Sequence, residues 1–318
     1  MTVYLAVAAE ASCRVEGCGC AQRAPRYPSD TTDAEWAILR PQAEAAMAEL
    51  RRGPGGRPMV HQLRAMIDAV RYVVKYGIEW RALPGDFPPW EAVYAFFERW
   101  SARDLPIRLA DRLRERLRVG VGRAPDPSAA IIDSQSVKAA DTVGAATSGY
   151  DGGKKIKGRK RHIAVDANGW LLAVLVTAAS VQDRDGGHRL LALLRERFST
   201  IGLVWADGGY AGRLLTWATA ALRLTVTVVK RNAEVAGFVV LPRRWVVERT
   251  FGWLNRHRRL VRDYERRPEH HEAMVWWATI MIMTRQLARQ ASGEPAAPRW
   301  GGERRRPPAP DQDLPAAA

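Results

Sequence analysis

Cysteine is nearly absent from this chain. The three present, Cys13, Cys18 and Cys20, sit together near the N-terminus. An odd number confined to one end argues against a disulfide framework. A zinc site would need a fourth ligand, and the nearest histidine, His61, is far off in sequence. The expectation is a poorly ordered extension over residues 1–24 that carries free thiols in a reducing compartment. Long apolar runs are missing too. The most apolar later stretch, Met274 to Thr284, is too short to cross a bilayer and is flanked by Glu272 and Arg285. The N-terminal residues lack the basic segment of a secretory signal. These absences point to a cytoplasmic protein with no membrane partner. Negative charge is also in short supply. Against 49 Lys and Arg there are 34 Asp and Glu, a net charge of +15. That imbalance suits a polyanionic partner, most simply nucleic acid.

At 318 residues with 47% hydrophobic content, the chain has room for two domains with sizeable cores. The basic residues are clustered. Lys154, Lys155, Lys157, Arg159, Lys160 and Arg161 fall in one short stretch, and Arg256, Arg258, Arg259 and Arg262 in another. Lys138 and Lys230 add isolated positive charge, and the group suits backbone phosphates better than base edges. The alternative is a solvated basic loop.

The first part of the chain reads as helices. Thr32 and Glu35 make a capping box ahead of Trp36, Ile38 and Leu39, and Pro41 should cut that helix short. A basic turn, Gly53 to Pro58, follows. Apolar residues recur at helical spacing from Val60 to Tyr76 and from Trp90 to Trp100, with a third helix over Leu105 to Val119. Trp80, Trp90 and Trp100 read as core residues. Residues 25–120 are thus all-helical, either a helix-turn-helix-like DNA-binding unit or a helical cap without groove contact. A Gly/Pro/Asp linker occupies 121–128.

Beyond it the pattern changes. Ala129 to Lys138 is an apolar run with Asp133 at its polar end, and reads as a buried strand. Val143 to Gly153 reads as a mobile Gly-rich loop. Arg161–Asp166 and Trp170–Val176 are two strands joined by an Asn-Gly turn. Gln182–Phe198 is a helix, Leu203–Ala206 a strand ending in Asp207, and Gly212–Leu222 a helix. A strand at Leu224–Val229 and helices over 243–260 and 269–290 complete the order, ahead of a disordered tail from 291. A buried strand-end carboxylate is costly unless paired, and a divalent cation held by further carboxylates is one partner. Asp207 and Glu248 are the candidates. Asp166 reads as a turn residue. Asp183 and Asp185 read as helix N-terminal acids, though either could lie near a metal. The six histidines, including His270-His271, show no metal spacing.

This arrangement resembles the ribonuclease-H-like fold of the DDE transposases, and is most similar to insertion-sequence transposases of the fifth family, within the fourth-family superfamily. The resemblance runs from Tyr27 to Ala288. It rests on several blocks in order: Tyr27-Pro28-Ser29-Asp30 with Asp33-Ala34-Glu35-Trp36, Trp80 to Pro84, Ile132 to Lys138, Gly158 to His162, Asp207-Gly208-Gly209-Tyr210, and Trp245 to Phe251. In the Tyr-x2-Arg-x3-Glu-x6-Lys signature of the superfamily, Arg244 and Glu248 hold the Arg and Glu places, while Leu241 and Asn255 replace the Tyr and Lys.

The resemblance implies an α/β fold, a ribonuclease-H-like mixed sheet flanked by helices over 129–290, with an N-terminal all-helical DNA-binding domain at 25–120. It implies that Asp133, Asp207 and Glu248 are catalytic and hold two Mg2+ ions, with Mn2+ able to substitute and Asp133 bridging. Water would first free a 3′-OH at the element end, which then attacks target DNA. Helical spacing sets Glu248 on one face with Arg249 and Arg256, which could hold DNA phosphates, and Arg244 is a further candidate for DNA contact. Double-stranded DNA, both element ends and target, is the implied partner of a homodimer or higher oligomer. The rival readings are a nuclease or resolvase of this fold that cuts without joining, and a non-catalytic DNA-binding repressor derived from a transposase.

Overall fold

The structure, a computed structural model, describes residues 23–49, 59–229 and 244–293. The three cysteines, the turn at Gly53–Pro58, Lys230, Leu241 and nearly all of the expected extension and tail lie outside the described residues.

Four helices come first: α1 (Asp33–Glu49), α2 (Leu63–Tyr76), α3 (Trp90–Ser101) and α4 (Leu105–Gly120). Thr32 caps α1, its Oγ1 accepting from Glu35 N at 3.1 Å. The Glu35 carboxylate does not complete the box. It turns inward, with Oε2 accepting from buried Arg71 at 2.5 Å. Helix α1 is longer than expected, because Pro41 lies inside it rather than ending it. The ring removes the hydrogen bond to Ala37, but both residues face solvent, where water can satisfy the freed carbonyl. Helix α2 ends on Gly77, whose φ of 69° is the left-handed closing conformation.

Among the described residues, seven strands build one mixed sheet: β1 (Ala129–Ala139), β2 (Gly149–Asp151), β3 (Ile156–Val165), β4 (Leu171–Ala178), β5 (Leu203–Ala206), β6 (Thr225–Val228) and β7 (Arg262–Asp263). The central order is β4-β3-β1-β5-β6, with β3 antiparallel to both β1 and β4, and β5 and β6 parallel to β1. Helices α5 (Asp183–Arg197), α6 (Arg213–Leu222), α7 (Arg244–Leu254) and α8 (Pro268–Ala291) complete the architecture. The expected α/β fold with a mixed sheet between helices is the observed one. Helix α7 is shorter than expected, because a separate 3-10 turn covers Arg258–Leu260. The stretch read as a mobile loop contains a 3-10 turn and strand β2.

The sheet divides two cores. Ala130, Ile132 and Ala164 face α5 and α6, together with Leu190, Leu191, Leu194 and Leu214. Ile131, Ile163, Val165 and Val174 face the other way, into a larger core with Val247 and Leu254 of α7 and much of α8. That larger core continues without a break into Leu39, Val70, Phe97, Leu109 and Leu113 of the first four helices. Arg118 at the end of α4 ties the seam. It donates to the buried Asp166 carboxylate, to Ala124 O at 2.8 Å and to Asp126 O at 3.3 Å. Asp166 is also the turn residue expected, accepting from Asn168 N and Trp170 N at 2.9 and 3.0 Å. At the β4 edge, Val176 N donates to Glu272 Oε1 of α8 at 2.7 Å, which satisfies an outward-facing strand donor. Among the described residues no helix is long and apolar enough to cross a membrane.

Candidate active site

The site forms where β5 ends beside the middle of β1. In this parallel pair Ile131 is opposite Trp205. Asp133 follows two residues later within β1 and Asp207 two residues later just past the end of β5, so the two lie at the same height. Ser134 N donates to Asp133 Oδ1 at 2.7 Å. Burial pushes the Asp133 carboxyl up to about 6, and the nearby charge of Asp207 pushes the same way. Asp207 is the cap of a short 3-10 turn, Gly208–Tyr210, its Oδ1 accepting from Gly209 N at 2.9 Å.

Helix α7 brings the third acid. Val246, Val247, Thr250, Phe251 and Leu254 are buried, and the helix packs on β1 and β3. That leaves Arg244 and Glu248, one turn apart, on the open side. Arg244 lies between the acids, 3.9 Å from Asp207 Oδ2 and 3.7 Å from Glu248 Oε1. Its guanidinium also counters the upward shift of Asp133. Among the described residues no three His, Cys, Asp or Glu side chains are grouped closely enough to hold an ion. The acids meet around a protein cation instead. Their chemistry still suits a hard divalent cation, which takes carboxylate oxygens, and the half-buried Asp133 carboxyl is raised mainly by burial, with Arg244 and Lys154 only partly offsetting it.

A fourth carboxylate, Asp183, lies near Asp133 and Asp207; the sequence marked it as a helix N-terminal acid that could also lie near a metal. Asp183 does open α5, but its Oδ1 accepts from Ser134 Oγ at 2.7 Å and from Lys160 Nζ at 2.9 Å. These two contacts hold its pKa below the ordinary value despite burial. Helix α5 can approach β3 this closely because Gly186 packs on the His162 ring, where a Cβ would come within 2.2 Å of Cε1. The phenol of Tyr210 is buried among the acids. Burial, then the charges of Asp133, Asp183 and Asp207, push it well above its ordinary value.

Residues 124–284, just over half of the chain, match the family model described as "Transposase DDE domain". The chain belongs to the DDE transposase family. Residues 31–109 match a second model, "Putative transposase of IS4/5 family". A Burkholderia cepacia protein, "Putative transposase for insertion sequence element IS402", is 34% identical over 139 residues. That match covers 42% of this chain and 65% of the relative. Asp133, Asp207 and Glu248 all fall within the residues matched to the transposase domain.

The basic residues of this DDE transposase domain divide sharply. Lys138, Lys154, Lys155, Lys157 and Arg256 are exposed. Lys154 sits on the turn after β2 and reaches back over the site, its Nζ 3.5 Å from Ser134 O. Three residues expected to meet DNA instead lie in strand β3, covered on both faces. Arg159 is fully buried, paired with Asp263 at 2.9 Å and bonded to the carbonyls of Glu265 and Arg266. Arg161 is fully buried, donating to Gln135 and Leu260 O and, at 2.7 Å, to Asn255 Oδ1. Lys160 is spent on Asp183, Val181 O and, at 3.6 Å, Asp151. Asn255, which replaces the signature lysine, therefore packs against Arg161. Arg249 also departs from expectation. It is stacked between Trp245 and Trp253, at 4.6 and 4.5 Å, and donates to Asn168 O. It buttresses the hairpin rather than sharing the Glu248 face. The two histidines are structural, His271 lying 3.1 Å from Asp263 and His270 beside Arg267.

Proposed function

We propose that this chain is the transposase of an insertion sequence, cutting DNA at the element ends and joining them to a target. The observation that carries the reading is that Asp133 within β1 and Asp207 just past the end of the parallel strand β5 lie at the same height, with Glu248 on the other side of Arg244. Asp133, Asp207 and Glu248 would hold two Mg2+ ions, with Mn2+ as a substitute. Bound there, the ions would supply an activated water or 3′-OH nucleophile and neutralise the leaving oxygen.

The protein's own groups orient the substrate. Lys154 and Lys155 on the turn from β2 to β3, with Lys157 at the start of β3, would offer positive charge to the DNA backbone. Lys138 extends this strip, and Arg256 lies beyond α7. Arg244 sits where it can pass from the acids to a phosphate when DNA enters. The helices of 25–120 offer a further DNA surface. Helix α2 is largely enclosed by the core, so contact from this region would fall to the outer faces of α1, α3 and α4. Two copies acting together on paired ends fit the chemistry of joining.

The test is cleavage and joining of a labelled duplex carrying the DNA that borders the coding region, with Mg2+ or Mn2+. Wild type should cut and join, while Asp133→Ala, Asp207→Ala and Glu248→Ala bind the duplex without cutting it. Cutting without joining would favour the nuclease reading. Binding without any cutting would favour the repressor.

A further inference from the structure

We propose that Asp183 is a positioning residue for the reaction: through Ser134 it sets the orientation of Asp133, and with Lys160 it locks the floor of the cleft. The inference rests on the reading of Asp133, Asp207 and Glu248 as a cation-holding centre.

Ser134 is a two-sided link. Its backbone N–H donates to Asp133 Oδ1 at 2.7 Å, and its hydroxyl donates to Asp183 Oδ1 at 2.7 Å. Neighbouring side chains on a strand point to opposite faces, so Asp133 and Ser134 project to different sides of β1. One residue therefore connects the carboxylate on the α7 side to the carboxylate on the α5 side.

The other contacts of Asp183 fix it from the far side. Lys160 is buried on β3, and its Nζ donates both to Asp183 Oδ1 and to Val181 O, each at 2.9 Å. Val181 lies just ahead of α5, so a single ammonium group ties the start of that helix to the sheet. The remaining oxygen, Oδ2, faces Gly209. A Cβ on Gly209 would lie 3.3 Å from Asp183 Oδ2 and 3.1 Å from Asp207 Oδ1. The two acids thus flank the same small space, and a glycine keeps it open. Asp183 thereby bonds β1 next to Asp133 and lies beside the turn that follows Asp207. An acid serving only the α5 helix dipole would need neither Ser134 nor this approach to Asp207. Asp185, in the same helical turn, is that simpler case, being exposed to solvent.

Partners that orient a metal-binding carboxylate typically affect ion affinity about 10–100-fold. The experiment is titration of the DNA-free protein with Mn2+, with free ion followed by electron paramagnetic resonance and thermal unfolding recorded in parallel. Wild type is compared with Asp183→Asn, Ser134→Ala, the double variant and Asp185→Asn. Asp183→Asn keeps the size of the side chain, and Ser134→Ala removes one hydrogen bond, so a folded protein is available from at least one route. The expected result is Mn2+ binding weakened roughly tenfold in each single variant, with a double variant no weaker than the worse single one. Asp185→Asn should bind as wild type does. Wild-type affinity in both single variants would overturn the inference, whatever their melting temperatures, as would fully additive losses. If wild type itself binds no Mn2+, the cation-holding reading of the site fails, and this inference fails with it.

Discussion

The guanidinium of Arg244 is held 3.9 Å from the carboxylate of Asp207. Because Glu248 lies 3.7 Å away on its other side, one side-chain cation occupies the gap that the acids would otherwise offer to an ion. If the acids hold cations as proposed, DNA phosphate would have to draw the guanidinium out as the cations enter.

Removing that guanidinium should favour ion binding by the free protein. Arg244→Ala is expected to raise Mn2+ affinity roughly threefold to tenfold, since the acids lose a competing charge nearby. It should at the same time weaken DNA binding. Calorimetric titration of both ligands checks this. A fall in Mn2+ affinity would mean that Arg244 organises the acids rather than competing for them.

Asp133 is expected to trade stability for activity. Its carboxyl is pushed up to about 6 by burial, so the folded state favours the protonated form. That stability is present below the ordinary carboxylate range and is lost as pH rises through about 6. Asp133→Asn should therefore be more stable than wild type at pH 8, on the order of 1–3 kcal/mol, and nearly equal to it at pH 3.5. It should not cut DNA. Urea unfolding at the two pH values is the check, and a variant less stable at pH 8 would refute the argument.

The basic stretch should split into two phenotypes. Lys154→Ala and Lys157→Ala are expected to fold normally and bind DNA more weakly, with the slope of log affinity against log salt falling by about 0.9 per lost contact. Arg159→Met leaves Asp263 buried without its guanidinium and should cost about 3–5 kcal/mol of stability. Salt-dependent binding and denaturant unfolding separate the two. A stable Arg159 variant with weak DNA binding would restore that residue to the DNA surface.

Glu272 supplies a second pH-sensitive element, remote from the acids. Burial pushes it up to about 7 while Val176 N donates to it. Its stabilising effect is full at low pH and is lost as pH rises through about 7. Glu272→Gln keeps an acceptor for Val176, so it should flatten this loss and melt above wild type at pH 8.5. Equal melting at that pH would show that the carboxylate is well solvated.

The order of helices and strands was legible because each apolar run is bounded by its own turn residues. Pro125 and Pro127 precede β1, and the Asn168-Gly169 turn joins β3 to β4. Asp133 and Asp207 stood out for the same reason, as charges ending apolar runs, although β1 itself continues past Asp133 to Ala139. Arg159 and Arg161 were misread because a run of cations gives no sign of which neighbours cover it. Their partners, Asp263, Asn255 and Gln135, lie on separate elements. Asp183 was half-read for a similar reason: its position at a helix start was visible, but its bond to Ser134 depends on how α5 lands on the sheet. Arg249 follows helical spacing, yet Trp245 and Trp253 draw it sideways. Spacing gives direction from the helix axis and says nothing about stacking.

The continuous core has a practical consequence for anyone who would divide this chain. The stretch at Pro125–Ser128 looks like the place to cut it, yet Arg118 fastens it on one side and Asp166 lies beneath. Expressing residues up to 120 alone would bare Leu39, Val70, Phe97 and Leu113, and expressing the rest alone would bare the matching face of α8. Each fragment would be sticky by construction, so the smallest workable piece of this protein is nearly the whole of it.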